Sequence, residues 1–392
     1  MKILYGAKKL ESPAFDWSGI YARVRPVDRI LSAGTVTNFV VRGINVERHA
    51  STAFVTDQIL PAGLQDATIV AGVAATLQGD TLVFVEDGQV RVTGRVGHRR
   101  VVLDVDMIQR GGDVVDVDVS YVAGTFADIL NSEALVRTEG KNKTSMPVFT
   151  TQDHATSTYV RNPDCWAADL HGELTCASPW NSVGGPTRAG TLVTPRHAIC
   201  ARHFPIPNGT ILRFVAEDNT VHERVVVKTS YGLRFDSRGI SSDFLVLLLD
   251  SDLPASIKPC KILGNDVFDV VDGPWRVMAG FANLALDQQE HAIINPCRGV
   301  DFASMGGLSA EVGSPFREFS EVIIGGDSGN PMFLAINGEL ALYTTFSSRY
   351  GGSFTGTFED KINGVIATLD GMEGVSTGYT LTRVDLSGFP AV

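Results

Sequence analysis

The chain has 392 residues, of which 44% are hydrophobic and 20% charged, with 40 glycines and 17 prolines. This composition excludes extensive disorder, and the length favours about two or three globular domains. The formal charge is −11; residues 1–150 hold 16 basic and 17 acidic residues, so the remaining 17 basic and 27 acidic residues give the rest a net charge of −10. Because phosphate binding needs clustered cations and none are seen, we expect no nucleic-acid partner.

Hydropathy predicts neither a targeting segment nor a membrane span. The first residues, MKILYGAKKLESPAF, lack the apolar core of a signal peptide. The longest apolar run, FLVLLL at 244–249, has the length of a strand and is far too short to cross a bilayer. We therefore expect no membrane partner, and a cytoplasmic or virion-associated protein rather than a classically secreted one; the compartment is otherwise open.

The cysteines are few, odd in number and without a CxxC pair, which argues against a zinc site. They are Cys165, Cys176, Cys200, Cys260 and Cys297. The first two are close enough in sequence to form a disulfide, and free buried thiols fit equally well. The sequence predicts no metal and no cofactor.

The first part of the chain, residues 1–145, is predicted to be a β-rich, sandwich-like domain. Two segments of alternating hydrophobicity, at 81–94 around Asp87-Gly88 and at 101–122 around Gly111-Gly112, are each typical of a β-hairpin. A short helix is expected at 124–137. The polar stretch TEGKNKTSMP, 138–147, then predicts a linker to a second domain at 150–392.

The second predicted hairpin carries four aspartates at alternate positions: Asp104, Asp106, Asp116 and Asp118. Such a row could bind calcium or a sugar. It could equally be the solvent-exposed face of a half-buried sheet, because apolar residues occupy the positions between. The alternation alone explains the pattern, so we favour the exposed face.

The second part continues with strand-like runs and ends with one predicted helix. Thr357 is expected to cap the helix N-terminus. An apolar stripe follows at helical spacing, formed by Phe358, Ile362, Val365, Ile366 and Leu369. The predicted fold class is therefore all-β with one late helix.

The segment GGDSGNP places Ser328 between an aspartate and a glycine, directly after an apolar run. A serine hydroxyl becomes a nucleophile only with a neighbouring base and an acid that orients the base. His203, in LVTPRHAICARH, follows two strand-like runs, and Asp243 directly precedes the strand-like FLVLLL. Two alternatives, His197 inside a strand pattern and Asp236 without a strand behind it, fit less well.

These three segments, in the order His, Asp, Ser, resemble the trypsin-like (chymotrypsin-fold) serine peptidases over about residues 150–372. In that family they correspond to the LVSPxxVLTAAH, DIALLKL and GDSGGP motifs. The resemblance implies a two-barrel domain with a C-terminal helix. It also implies that Ser328 is the nucleophile, His203 the general base and Asp243 the residue that orients it.

The resemblance further implies an oxyanion hole formed by the N–H groups of Gly326 and Ser328. It assigns the primary substrate pocket to four positions: Val322, Thr345, Phe346 and Ser347. An apolar base at Val322 predicts a small or medium uncharged residue at the cleavage site. Asp327 corresponds to a buried aspartate that needs a partner, and no activation start of the IVGG kind precedes His203 at the right distance.

Two departures from the family pattern indicate a divergent bacterial or viral-type member. Phe204 stands where a disulfide-forming cysteine is usual, and Asn330 replaces a glycine. The predicted function is a serine endopeptidase acting on polypeptides, with residues 1–145 as an adaptor for an assembly partner. The alternatives are a structural or self-processing phage tail or virion component, and an esterase with the same triad.

Overall fold

The structure is a computed structural model. It describes residues 21–26, 45–48, 54–57, 65–78, 81–84, 88–96, 99–109, 114–122, 126–179, 187–233, 236–237, 240–270, 277–300, 304–307, 314–348, 351–386 and 389. The chain divides into two compact units, Met1–Arg137 with Ser387–Pro390, and Thr138–Leu386 with Ala391–Val392. Both units are mostly β-strand, as the all-β prediction requires. No helix among the described residues is long and apolar enough to cross a membrane.

The described residues of the first unit form two sheets and one helix. Its elements are β1 (Tyr21–Pro26), β2 (Asn45–Arg48), β3 (Phe54–Asp57), β4 (Gln65–Ala71), β5 (Ala75–Gln78), β6 (Thr81–Phe84), β7 (Gly88–Val96), β8 (Arg99–Gln109), β9 (Val114–Val122) and α1 (Phe126–Thr138). The five-stranded sheet has the order β1-β9-β8-β7-β4, and the four-stranded sheet β2-β3-β6-β5. The helix predicted at 124–137 is confirmed as α1.

The hairpin predicted at 81–94 is wrong, because its two halves lie in different sheets. Strand β6 pairs with β3 and β5, whereas β7 pairs with β4 and β8. A hairpin with four-residue β6 would offer β7 four pairs at most, while β8 offers nine, from Gly88↔Met107 to Val96↔Arg99. Pairing of β7 with β8 therefore gives more cross-strand contacts than a β6–β7 hairpin would, and it outweighs the local preference of Asp87-Gly88 for a turn. The second predicted hairpin is confirmed by the antiparallel β8–β9 pairing; its Gly111-Gly112 turn lies outside the described residues.

The aspartate row lies on this hairpin, with Asp106 directly opposite Asp118 in the β8–β9 register. The aspartate side chains themselves are outside the described set, so their exposure stays a prediction. Next to them, Arg91 of β7 faces Asp104 in the register and is only 1% exposed. Its guanidinium Nη1 donates to the carbonyl of Ile129 at 3.4 Å, so α1 covers this part of the sheet.

The second unit is built from many short strands. They are β10 (Phe149–Asp153), β11 (Thr158–Arg161), β12 (Thr191–Thr194), β13 (His197–Ala201), β14 (Ile211–Val215), β15 (Val221–Thr229), β16 (Asp236–Ser237), β17 (Ile240–Ser241), β18 (Phe244–Leu249), β19 (Lys261–Ile262), β20 (Val277–Phe281), β21 (Leu284–Leu286), β22 (Ala292–Ile293), β23 (Cys297–Val300), β24 (Ser304–Gly307), β25 (Pro331–Ile336), β26 (Glu339–Thr345) and β27 (Gly352–Ser353). The helices are α2 (Val267–Val270) and α3 (Thr355–Met372), and 3₁₀ turns lie at Lys143–Ser145, Ala168–Leu170, Glu173–Cys176 and Arg317–Phe319.

Two five-stranded sheets dominate this unit. Their orders are β12-β13-β18-β15-β14 and β19-β26-β25-β21-β22. The described residues also form a four-stranded sheet, β20-β23-β24-β27, and the two-stranded ribbons β10-β11 and β16-β17. Strand β18 is the FLVLLL run; all six residues are buried because it lies centrally between β13 and β15 with both faces covered.

The predicted C-terminal helix is confirmed as α3, and so is its apolar stripe. Four of the five stripe residues are fully buried, and Val365 is 7% exposed. The predicted cap at Thr357 is wrong, because the helix begins two residues earlier at Thr355. The Thr355 hydroxyl lies near the carbonyls of Leu263 and Leu342, at 3.1 and 2.9 Å, so tertiary hydrogen bonding fixes the helix start.

The cysteines of the described core are free and buried, namely Cys165, Cys176, Cys200 and Cys260. The disulfide left open between the first two is therefore not formed. Burial raises the pKa of both Cys165 and Cys200 to about 12. These thiols are thus unreactive packing groups at neutral pH.

Candidate active site

The position of His203 is set by the pairing of two neighbouring strands. β13 runs antiparallel to β18, with Ala201 opposite Phe244. Just beyond this pair, the N–H of Arg202 donates to the carbonyl of Asp243, and the N–H of His203 donates to its carboxylate Oδ1 at 3.1 Å. The strand register therefore brings the histidine and the aspartate together.

The structure places the three residues predicted as a triad in one hydrogen-bonded chain. His203 Nδ1 lies 2.7 Å from Oδ2 of Asp243, and His203 Nε2 lies 2.8 Å from Oγ of Ser328. An ionised carboxylate only accepts hydrogen bonds, so Nδ1 carries the imidazole proton. Nε2 is then the ring acceptor, and it faces the hydroxyl that has a proton to give.

The imidazole of His203 is open to solvent, and the backbone of Asp243 is held by a hydrogen bond. The His203 side chain is 44% exposed and that of Asp243 is 25% exposed, so the imidazole is open to a substrate. The backbone N–H of Asp243 donates to Oγ of Ser353 in β27 at 2.9 Å. Sequence reasoning missed Ser353, because nothing local connects residues that far apart in the chain.

Residues 324–330, called the nucleophile loop after the predicted role of Ser328, need glycine on both sides of this serine. Gly326 has φ +112° and Gly329 has φ +93°, a region that other residues rarely adopt. A Cβ added to Gly329 would also lie 3.1 Å from the backbone nitrogen of Ala201. The loop therefore packs directly on the end of β13, the strand that leads to His203.

Asp327 is 1% exposed, and its carboxylate is held by backbone amides. Its Oδ1 accepts the N–H of Gln288 at 3.0 Å, and its Oδ2 accepts the N–H of Ile324 at 2.7 Å. Desolvation raises the pKa of Asp327, and these two hydrogen bonds oppose that effect. The partner that the sequence left open is thus the neighbouring backbone.

Gln288 is a second residue that sequence reasoning missed. A Cβ on Gly326 would lie 2.6 Å from its Oε1, and its Nε2 donates weakly to the carbonyl of Gly325 at 3.4 Å. Gln288 therefore covers the turn that carries the predicted oxyanion donors, the N–H groups of Gly326 and Ser328. Their role in an oxyanion hole stays a prediction.

The four residues assigned to a substrate pocket differ widely in exposure. Val322 is 67% exposed, Thr345 and Phe346 are 1% exposed, and Ser347 is half-buried. Phe346 is tied to the nucleophile loop, because its carbonyl accepts the N–H of Gly329 and its N–H donates to the carbonyl of Asn330. Their contact with a substrate stays a prediction.

The two competing candidates lie elsewhere. His197 is fully buried, with Nδ1 2.8 Å from Oγ1 of Thr194 and Nε2 3.2 Å from Oδ1 of Asp370. This confirms its interpretation as a packing residue. Asp236 is an exposed residue of the β16–β17 ribbon.

Comparison with protein-family models finds no match to this chain, and comparison with curated proteins finds none at a significant level. Within the chain itself, three side chains that are far apart in sequence meet at hydrogen-bonding distance, in the order carboxylate, imidazole and hydroxyl.

Proposed function

We propose that this chain is a serine endopeptidase whose second unit is a divergent, two-barrel, chymotrypsin-like domain. The observation that supports it is the continuous Asp243–His203–Ser328 chain, with separations of 2.7 and 2.8 Å. An imidazole between a carboxylate and a hydroxyl is the arrangement that makes serine nucleophilic.

In the proposed reaction, Oγ of Ser328 attacks the carbonyl carbon of the scissile peptide while its proton passes to Nε2 of His203. Asp243 stabilises the resulting imidazolium and keeps Nδ1 protonated. The N–H groups of Gly326 and Ser328 donate to the developing oxyanion. His203 then gives its proton to the leaving amine, and water hydrolyses the acyl-enzyme by the same steps.

The sheet arrangement supports the two-barrel part of this proposal. His203 and Asp243 adjoin β13 and β18, which are neighbours in one five-stranded sheet. Ser328 lies three residues before the start of β25 in the other five-stranded sheet. A triad drawn from two sheets of similar size agrees with the resemblance stated from the sequence. We further propose that the first unit serves as an adaptor for an assembly partner.

A fluorophosphonate probe tests the proposal, because it forms a covalent bond with an activated serine and leaves other serines unmodified. The purified full chain is treated with the probe and its intact mass is measured beside Ser328→Ala and His203→Ala. Ser256→Ala is the matched control, since among the described residues the hydrogen-bond partner of its Oγ is a ring nitrogen of His222, at 3.4 Å.

We expect one adduct on the native chain and on the control, and none on either triad variant. Peptide and ester substrates then separate a peptidase from an esterase by their relative turnover. Labelling that persists in Ser328→Ala, or no labelling of the folded native chain, would refute an activated Ser328. The alternative of a structural phage tail or virion component would then be favoured over the peptidase.

A further inference from the structure

A second cluster of chemically active side chains lies outside the triad, between the β21–β22 turn and the segment before Ser328. It consists of Asp287, His291 and Glu321, each of which offers one ligand atom within 4.8 Å of the other two. Nδ1 of His291 lies 3.4 Å from Oδ2 of Asp287 and 3.4 Å from Oε1 of Glu321.

The carboxylate of Asp287 is held in a fixed orientation. Its Oδ1 accepts the N–H groups of Gln289 at 2.8 Å and of His291 at 2.9 Å, closing the turn. Oδ2 is therefore left to face the imidazole, and the side chain is only 6% exposed. The site is preformed at this residue, because the turn itself sets the direction of the second oxygen.

The ring nitrogen Nδ1 of His291 is buried and faces both carboxylates. Its separations from Oδ2 of Asp287 and Oε1 of Glu321, 3.4 Å each, are longer than the roughly 2.7–3.2 Å of an N–H···O hydrogen bond. The three ligand atoms therefore surround a position that either a proton on Nδ1 or a small cation can occupy.

The spacing of the three atoms fits a cation. Nitrogen and oxygen ligands bind Zn²⁺ at about 2.1 Å, which in tetrahedral geometry separates neighbouring ligand atoms by about 3.4 Å. The two separations from Nδ1 have this value. One imidazole and two carboxylates also suit a divalent ion in charge and in donor type.

We propose that Asp287, His291 and Glu321 bind a divalent transition-metal cation of the Zn²⁺ class, with the remaining coordination position open to water. The cysteine pattern predicted no metal, and these ligands contain no cysteine. No sequence motif joins them, because Glu321 reaches the turn only through the fold. This proposal does not depend on the peptidase activity.

The proposed metal site lies next to the two segments whose N–H groups hydrogen-bond Asp327. Gln288, which donates to Asp327, directly follows Asp287, and Glu321 begins the segment whose Ile324 donates to the same carboxylate. The carbonyl of Glu321 in turn accepts the side-chain amide of Asn295 at 3.0 Å. A bound cation therefore stabilises both segments that hold the nucleophile loop.

Zinc binding to the metal-free full chain tests the proposal. The purified protein is treated with a chelator, dialysed, and titrated with ZnCl₂ by calorimetry at about pH 8, because Asp287 and Glu321 raise the pKa of His291 above its ordinary value. We expect one equivalent to bind and to raise the thermal unfolding temperature. The affinity falls as the pH is lowered, because protons compete for His291.

Two variants and a control locate the site. Removing a residue that only hydrogen-bonds a metal ligand typically lowers metal affinity by roughly 10- to 100-fold. His291→Ala removes a ligand itself, so we expect it to lower the Zn²⁺ affinity by more than this. Glu321→Gln, at a partly exposed position, weakens binding without disturbing the fold. His222→Ala keeps the native affinity. No stoichiometric binding, or equal binding by native protein and both ligand variants, would overturn the proposal; circular dichroism confirms that each variant is folded.

Discussion

The carboxylate of Asp327 accepts the backbone N–H of Gln288 at 3.0 Å, which connects the nucleophile loop to the β21–β22 turn. Its other oxygen accepts the N–H of Ile324 within the loop itself. The residue before Ser328 is thus fixed from two sides by amides already present in the folded chain. This arrangement requires no newly generated terminus as a partner.

Asp327→Asn should weaken this connection. The two oxygens of Asp327 each accept one backbone N–H, but an asparagine side chain has only one oxygen. Its NH₂ group would therefore face the second backbone N–H, and two donors cannot form a hydrogen bond with each other. We expect a loss of about 1 to 3 kcal/mol in the free energy of unfolding, the usual cost of a buried unpaired group. Urea unfolding measures it, and slower fluorophosphonate labelling should accompany it. Unchanged stability and labelling would show that the amides do not hold the loop.

Gly329→Ala should disturb the packing of the nucleophile loop on β13. The new Cβ would lie 3.1 Å from the nitrogen of Ala201, and alanine is strained at φ +93°. The left-handed backbone alone costs about 1 to 2 kcal/mol. Gly325→Ala is the matched control, since its Cβ would meet no atom of the described residues within 4 Å. Equal thermal unfolding temperatures for the two variants would contradict this prediction.

His171 should make the protein less stable in mild acid. Its side chain is buried with Nε2 unpaired among the described groups, and desolvation lowers its pKa to about 4, with the Arg161 charge adding to the effect. Because the folded-state pKa is depressed, the unfolded chain binds the proton first. Stability is then full above about pH 6.5 and falls as the pH drops toward 4.

The size of this effect is about 2 kcal/mol between neutral pH and pH 4, allowing for partial solvation of the ring. Urea unfolding at several pH values measures it. His171→Phe should flatten the acid side of the profile relative to native protein. A His222→Ala control should keep the native slope, and an unchanged slope in His171→Phe would exclude His171 as its source.

Asp370→Ala should destabilise the second unit without touching the triad. Asp370 lies in α3, where Oδ1 contacts the buried His197 at 3.2 Å and Oδ2 accepts the hydroxyl of Thr377. Burial lowers the pKa of His197, so this contact is a hydrogen bond to a neutral imidazole, and leaving that imidazole unpaired costs about 1 to 3 kcal/mol. Asp360→Ala, an exposed aspartate on the same helix, should cost little. Thermal unfolding measures the stability of both variants. Equal destabilisation by Asp370→Ala and Asp360→Ala would show that the contacts of Asp370 with His197 and Thr377 do not stabilise the unit.

The sequence predicted that His203, Asp243 and Ser328 meet, because each lies in a local motif with a recognisable strand beside it. Gln288 and Ser353 could not be found in this way, because their contacts arise from sheet pairing between distant segments. The hairpin prediction at 81–94 was wrong for the same reason. The turn signal depends on neighbouring residues, whereas the choice of β8 over β6 as the partner of β7 depends on segments that are distant in sequence. The start of α3 likewise depends on carbonyls of β26 and of the segment after β19.

The contact between Phe346 and residues 329–330 has a consequence for the newly made chain. His203 and Asp243 belong to strands that leave the ribosome early and can pair as soon as β18 is complete. The loop that carries Ser328 is held by hydrogen bonds from Phe346, and these exist only after β26 has been synthesised. A partly translated chain therefore has His203 and Asp243 paired but lacks the contacts that position Ser328. Under the proposed function, the order of synthesis delays reactivity until β26 is complete.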